Sequence, residues 1–278
     1  MRLTIAAAVS MYVVSAIANF EFTLQNPQIS TGVDQVTTNK TSITVFRGER
    51  PKKAKAEDIW INPKDGSELI YVPAGTFQMG DKDQISNQPR QVSLDGYWIY
   101  KNVITVKMYK KFCSDSSHSM PTAPSWGWID DHPIVNVPVI DAEAYCKWAG
   151  IRLPTEEEWE KAAAWDYRNN RKLLFPWGDV FDGNKCWSSV DSKKARTNPA
   201  GVIRSGKSPY GLLDMAGNVW QWTRSNYGGS DASISSHRVL RGGTWSSDFP
   251  GNFRSAYRDN YKPAYWFLYY GFRGAVGP

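Results

Sequence analysis

Arg241-Gly242-Gly243-Thr244-Trp245, then SSDFPGNFRSAYRDNYKPAYWFLYY over 246–270, then Gly271-Phe272-Arg273-Gly274-Ala275: this run near the carboxyl end governs the reading of the 278-residue chain. Ten of the 26 residues from Trp245 to Tyr270 are Phe, Trp or Tyr, against 14% in the whole sequence. Rings at that density serve either as core filling or as a recognition surface. In the second role they are stiff, amphipathic contacts that lose little entropy on binding. Tyr265-Trp266-Phe267-Leu268-Tyr269-Tyr270 shows no alternation of polar and apolar residues. A half-buried strand alternates, so this stretch is either buried on both sides or a loop that turns its rings outward. An exposed apolar patch of that kind marks a binding site.

Working outward, the composition is that of a globular protein, with 22% charged and 41% hydrophobic residues. Thirteen Trp, 16 Pro and 22 Gly point to a loop-rich fold with short helices. The +6 net charge is mild, and its densest run, Arg47 to Lys55, reads as a solvated linker. No basic helix or nucleic-acid motif accompanies it, so nucleic acid is not an expected partner. Met1-Arg2, the apolar Leu3 to Val14 and the small-x-small Ala16-Ile17-Ala18 form an export signal over 1–18. The stretch is short for a membrane span, so membrane attachment is not expected, and the mature chain is placed in the periplasm, at the cell surface or outside the cell. Cys113, Cys146 and Cys186 read as small buried hydrophobes, with Cys113–Cys146 the one pairing to check.

Residues 19–58 read as an extended arm or edge strand plus linker, with ordered structure from Ile59. Ser67 to Met79 reads as two strands broken at Pro73-Ala74-Gly75, and Gln91 to Tyr100 as a further strand with a turn at Asp95-Gly96. Three helices follow. Thr105 caps Val106 to Cys113, Asp141 caps Ala142 to Ala149 ahead of Gly150, and Thr155 with Glu158 forms a capping box for the third. The acidic triplet Glu156-Glu157-Glu158 complements the helix dipole in that first turn; it is not taken as a catalytic cluster. His132, in a His-Pro turn, is read as structural.

Six motifs in order then fix a likeness. They are Val72-Pro73-Ala74-Gly75-Thr76-Phe77-Gln78-Met79-Gly80, His132-Pro133-Ile134-Val135-Asn136-Val137, Arg152 to Glu160, Gly217-Asn218-Val219-Trp220-Gln221-Trp222-Thr223, Arg241 to Trp245, and Gly271-Phe272-Arg273. Together they resemble the formylglycine-generating-enzyme, or sulfatase-modifying factor, family over Ile59 to Ala275. The resemblance implies an irregular α+β, C-type-lectin-like fold with short helices and many short strands, here a domain over 59–278. It does not settle the chemistry, since one fold hosts many functions.

In the oxidase members the resemblance implies a cysteine pair that holds copper. Aligned through Arg241-Gly242-Gly243-Thr244, those positions fall at Ser247 and Asn252, and a hydroxyl with an amide cannot replace two soft thiolates. Iron-dependent relatives take histidine ligands from a helical bundle, whereas this chain has only His118, His132 and His237. Neither copper nor iron is expected. The strip over 245–270 instead resembles the variable region of proteins diversified by retroelements, in which randomised adenines exclude Glu, Gln, Lys, Met and Trp. Ser246 to Tyr270 contains no Glu, Gln or Met, and Lys262 and Trp266 would be fixed. That likeness implies a ligand surface made of Ser246, Ser247, Asp248, Phe249, Asn252, Tyr257, Asp259, Asn260, Tyr261, Tyr265, Trp266, Phe267, Tyr269 and Tyr270. Arg254, Arg258 and Arg273 would hold the backbone, and the partner would be a protein or glycan on another surface.

The family resemblance also implies calcium, held by the side chains of Asp214 and Gln221 and the carbonyls of Gly217 and Val219. A second set is Asn184 and the Lys185 carbonyl, with Asp191 as a third ligand. Oxygen-only donors suit a hard cation. The expectation is thus an exported binding protein; the alternative is an oxidoreductase or periplasmic modifying enzyme of the same family.

Overall fold

The computed structural model describes residues 33–38, 41–228 and 234–277. The export signal expected over 1–18 lies outside the described residues. A six-stranded sheet is built from β1 (Val33–Thr38), β2 (Thr41–Phe46), β3 (Ile59–Ile61), β4 (Glu68–Val72), β7 (Tyr97–Tyr100) and β14 (Ala275–Val276), adjacent in that order. Between β4 and β7 in sequence, β5 (Gly75–Met79) and β6 (Arg90–Leu94) form a hairpin of their own. A second hairpin pairs β8 (Trp165–Asp166) with β9 (Arg171–Lys172). The four-stranded sheet runs β12 (Asp259–Tyr261), β11 (Arg238–Arg241), β10 (Trp220–Asn226), β13 (Tyr270–Phe272). The fold is mixed α+β, as expected.

Strand alternation separates two cores. Along β7, Trp98 and Tyr100 pack into one apolar cluster and Tyr97 and Ile99 into the other. All four are buried, because both faces of the sheet are covered. The first core is closed by helices α1 (Val106–Ser116) and α2 (Val139–Trp148), and the second by α3 (Glu156–Ala164). Thr105 caps α1 through Met108 N at 3.3 Å. Thr155 caps α3, and Glu158 returns the capping-box bond to Thr155 N at 2.8 Å.

Two expectations are corrected. Asp141 does not cap α2, which starts earlier, at Val139 after Pro138, so that Asp141 sits inside the first turn. Ordered structure does not wait for Ile59, since β2 pairs in parallel with β3 and carries the arm into the large sheet. No disulfide joins Cys113 to Cys146; all three cysteines are free. The His132 imidazole is buried against Thr197 Oγ1 at 2.9 Å, and burial pushes its pKa down, which keeps it neutral and structural.

A charge cluster locks α3 to the carboxyl-terminal sheet. Arg241 is wholly buried, with Glu156 at 3.1 Å and Glu160 at 3.0 Å. Glu160 also takes Gly80 N–H at 2.7 Å, Asn87 Nδ2 at 2.8 Å and Lys172 Nζ at 2.5 Å. Burial alone would push the Glu160 carboxyl up, but Arg241 and Lys172 hold it below the usual carboxylate range. Gly242 and Gly243, at φ +98° and +75°, turn the chain sharply after Arg241. A Cβ on Gly243 would lie 2.7 Å from the Phe253 ring.

Glu160→Gln removes one charge and leaves Arg241 and Lys172 under-compensated. Urea denaturation is expected to show a loss of about 3–5 kcal/mol, the cost of breaking a buried pair. A second expectation concerns Lys161, whose ammonium donates to the Pro73 and Gly75 carbonyls at 2.7 and 3.0 Å, with no carboxylate recorded against it among the described residues. Burial pulls it down to about 8 from 10.5. Between those values the unfolded chain holds the extra proton, so stability should rise with pH across that window. Lys161→Met should remove that contribution from the pH profile of the melting temperature.

Candidate functional site

The strip after Arg241 is not one strand. It runs through an exposed loop at 246–249, a tight turn at Pro250–Phe253, buried Ser255 and Ala256, strand β12, a loop over 262–269, and β13. Arginines pin it at intervals. Arg254 reaches Asp81 at 2.9 Å and Asp83 at 3.0 Å. Arg258 bonds Glu156 at 2.9 Å and the Ser86 carbonyl at 2.7 Å. Arg273 is fully buried, with Nε on Gln221 Oε1 at 2.6 Å and its other nitrogens on the carbonyls of Tyr100, Lys101, Leu213 and Asp214. Burial pulls the Arg273 guanidinium down to about 9, partly offset by Asp214. These arginines are committed to partners within the chain, and the exposed residues of the strip gather in the loops around 246–249 and 262–266.

The structure sorts the sequence-derived ligand residues into three groups. Ser246, Asp248, Phe249, Tyr265 and Trp266 are exposed, the last three at 64%, 48% and 56%. Asn252, Tyr257, Asp259, Asn260, Tyr261, Phe267 and Tyr269 are half-buried. Ser247 and Tyr270 are buried and are corrected to structural positions. Ser247 Oγ accepts from Thr244 N at 3.4 Å, and its carbonyl accepts from Ser189 N at 2.9 Å. The Tyr270 ring lies on β13 between Trp222 at 5.1 Å and Tyr261 at 5.6 Å. The missing alternation over 265–270 has a simple cause: a loop displays Tyr265 and Trp266, and the strand begins only at Tyr270.

Ring contacts tie the strip to its surroundings. Trp245 meets Tyr269 at 6.0 Å and donates through Nε1 to the Leu268 carbonyl at 3.2 Å. Tyr261 packs on Phe267 at 5.4 Å and on Tyr265 at 5.5 Å, while Tyr257 lies 5.9 Å from Trp220. Sequence reasoning missed Trp126, whose ring meets Trp245 edge-on at 5.8 Å. It arrives from a loop far upstream, in no motif that could have pointed to it. Asn260 Oδ1 lies 2.6 Å from His237 Nδ1, a second partner missed.

The implied metal ligands fare unevenly. Gln221 Oε1 already accepts from Trp159 Nε1 at 2.8 Å and from Arg273 Nε, while Gln221 Nε2 donates to the Asp214 carbonyl at 2.6 Å. Both ends of the amide are engaged, the oxygen by an indole and a guanidinium. Asp214 is buried, which raises its carboxyl, and Oδ2 accepts from Gly201 N at 2.7 Å. The Gly217 carbonyl accepts from Val219 N at 2.9 Å. Within the set Asp214, Gly217, Val219 and Gln221, the Gln221 oxygen is therefore already committed to the chain's own donors. The second set is drawn together: Asn184 and Lys185 lie in the turn Gly183–Lys185, and Asp191 Oδ2 rests where a Cβ on Gly183 would be, 1.7 Å from that position. At the copper positions, Ser247 is a buried hydroxyl and Asn252 a half-buried amide, so neither position supplies a thiolate.

Compared with known proteins, residues 55–277 match the sulfatase-modifying factor enzyme 1-like domain. The chain belongs to that family. It is 36% identical over 244 residues to hercynine oxygenase of Mycolicibacterium smegmatis, an alignment covering 68% of this chain and 56% of that one. The chain thus spans about half the length of that curated relative. Among solved structures, PvdO from Pseudomonas aeruginosa superposes with a TM-score of 0.66 at 22% identity, covering 81% of this chain and 100% of PvdO. Treponema denticola variable protein 1 superposes at 0.62 with 20% identity, covering 88% and 99%. Both likenesses are of fold. The C-type-lectin-like architecture of this family member is common to an enzyme family and to a variable protein.

The division of rings gives a direct expectation. Tyr270→Ala should cost about 3–5 kcal/mol, as for other buried aromatic truncations. Tyr265→Ala and Trp266→Ala should each stay within about 0.5–1 kcal/mol of the parent, as surface changes do. Melting curves of the three variants check the contrast.

Proposed function

We propose that this chain is an exported ligand-binding protein that presents a diversified carboxyl-terminal surface on a sulfatase-modifying-factor scaffold. The observation that carries this reading is the split within one strip. Arg254, Arg258 and Arg273 are committed to internal partners, while Ser246, Asp248, Phe249, Tyr265 and Trp266 face water. Side chains on such a surface can change without disturbing what holds the backbone. Tyr and Trp supply contact area at low entropic cost, and Ser and Asp supply adaptable hydrogen bonds. The partner is a protein or glycan on another surface. Calcium, where bound, is held by Asn184, the Lys185 carbonyl and Asp191, and serves to stiffen that turn.

One observation favours a second reading, the 36% identity to a hercynine oxygenase: a modifying enzyme acting on a small substrate. Stoichiometric iron retained through purification, together with turnover of a thiol or sulfoxide substrate, would establish it.

The DNA around the coding region tests the first reading. A near-copy of the segment encoding Thr244 to Arg273 is expected, differing chiefly where the copy carries adenine. Variants from related strains should change at Phe249, Tyr257 or Tyr265 and keep Arg254, Arg258 and Arg273. Strain differences scattered evenly along the chain, with no such copy, would exclude diversification.

A further inference from the structure

Asp259 occupies an unusual place for a carboxylate. In the four-stranded sheet it pairs with Leu240, which pairs with Trp222, which pairs with Phe272. Residues directly opposite one another share a sheet face, and the other three members of this row are fully buried. Asp259 is therefore the polar end of an apolar row, on the edge strand. Tyr261, two residues on, lies on the same face. Tyr257, two residues before, is brought to it by its contact with Trp220, which pairs with Tyr270. Burial pushes the Tyr257 and Tyr270 phenols up, and the Asp259 charge adds to it in both.

Among the described residues no cation answers this carboxylate: Asp259 is recorded in no ion pair, and the neighbouring basic groups are engaged elsewhere. Arg258 is on Glu156, Arg241 on Glu156 and Glu160, and Arg238 on Glu143 at 3.2 Å. Lys262 lies over the Tyr265 ring at 5.8 Å. Among the described residues, the bond recorded to Asp259 Oδ1 is from the Asn260 N–H, at 2.8 Å. Burial raises its carboxyl, a cost that a counter-charge would remove.

We propose that Asp259, flanked by the half-buried rings of Tyr257 and Tyr261, is a receptor for the organic cation of a ligand, an ammonium or guanidinium head. Ring faces attract such cations within about 6 Å of the centroid, and the carboxylate supplies the full opposite charge. A hard metal ion does not suit the place, because calcium needs 6–8 oxygens and the surroundings are rings. The inference deepens the display reading above: it gives the partner a positive group, seated beside the exposed Tyr265, whose ring packs on Tyr261.

The test titrates the purified chain with tetramethylammonium chloride, with methylguanidinium chloride and with neutral tert-butanol, following tryptophan fluorescence and aromatic proton shifts. Saturable binding of at least one cation is expected, with none for the alcohol. The tighter of the two salts identifies the head group. Asp259→Asn keeps the shape and should weaken binding about tenfold or more, as loss of a charge-assisted contact does. Tyr257→Leu keeps the charge, removes one ring face, and should weaken the same cation; it serves should Asp259→Asn fail to fold. Equal affinity in parent and both variants, or no saturable response to either salt, would overturn the proposal. The titration needs neither the natural partner nor a template copy. A bound cation with no template copy leaves this site standing without diversification, and a template copy with no bound cation leaves display standing without this chemistry.

Discussion

A guanidinium with no access to water sets the terms for the rest of the domain. Arg241 can be buried only because Glu156 and Glu160 come to it from α3 and because the carbonyls of Ser255 and Tyr257 take one of its terminal nitrogens. Each carboxylate in turn needs its own donors, which Lys172, Gly80, Asn87 and Arg258 provide. The cluster thus joins the β5–β6 hairpin, α3, β9 and the carboxyl-terminal sheet through charge rather than apolar contact. An ion cluster of this kind adds little net stability against a well-packed apolar replacement. What it contributes here is position, because charges so buried tolerate few alternative arrangements.

That positioning explains how an irregular segment can be well defined. The stretch from Ser246 to Tyr270 has few ladder bonds of its own, and β12 is only three residues long. Its course is set instead by inward arginines and by main-chain bonds to other segments. Asn136 N donates to the Phe267 carbonyl at 3.1 Å, and Val139 N to the Pro263 carbonyl at 3.2 Å. Rigid backbone with free side chains is what a recognition loop requires, since ordering costs are met before the partner arrives. A catalytic site on the same scaffold would benefit from the same rigidity, which is why family membership alone leaves the chemistry open.

Much of this was legible in the sequence where local rules govern. Thr155 and Glu158 announced the start of α3, and Pro73-Ala74-Gly75 the break between β4 and β5. That Arg254, Arg258 and Arg273 hold the backbone was implied by the likeness to variable regions. Legibility ended where distant residues decide. Asp141 had the chemistry of a cap, but tertiary packing starts α2 a turn earlier, at Val139. Glu160 gave no sign that it would be the most buried acid of its helix, because its partners come from Gly80, Asn87, Lys172 and Arg241. Gln221 was implied to be a cation ligand by the family resemblance alone. Trp159 and Arg273, each more than fifty residues away, have taken its oxygen. Trp126 and His237 were silent for the same reason.

The placement of the last strands has a consequence for how the molecule assembles. β14 pairs with β7, joining Ala275 to Ile99, and β13 lies in parallel beside β10. Arg273 ties that end to carbonyls near residues 100 and 213. Pairings across such sequence separation raise the contact order and slow the search for the native state. On a ribosome, β4 and β7 would emerge and pair well before their final neighbour exists. Until it arrives, β7 carries an open edge, the kind of surface on which partly made chains associate.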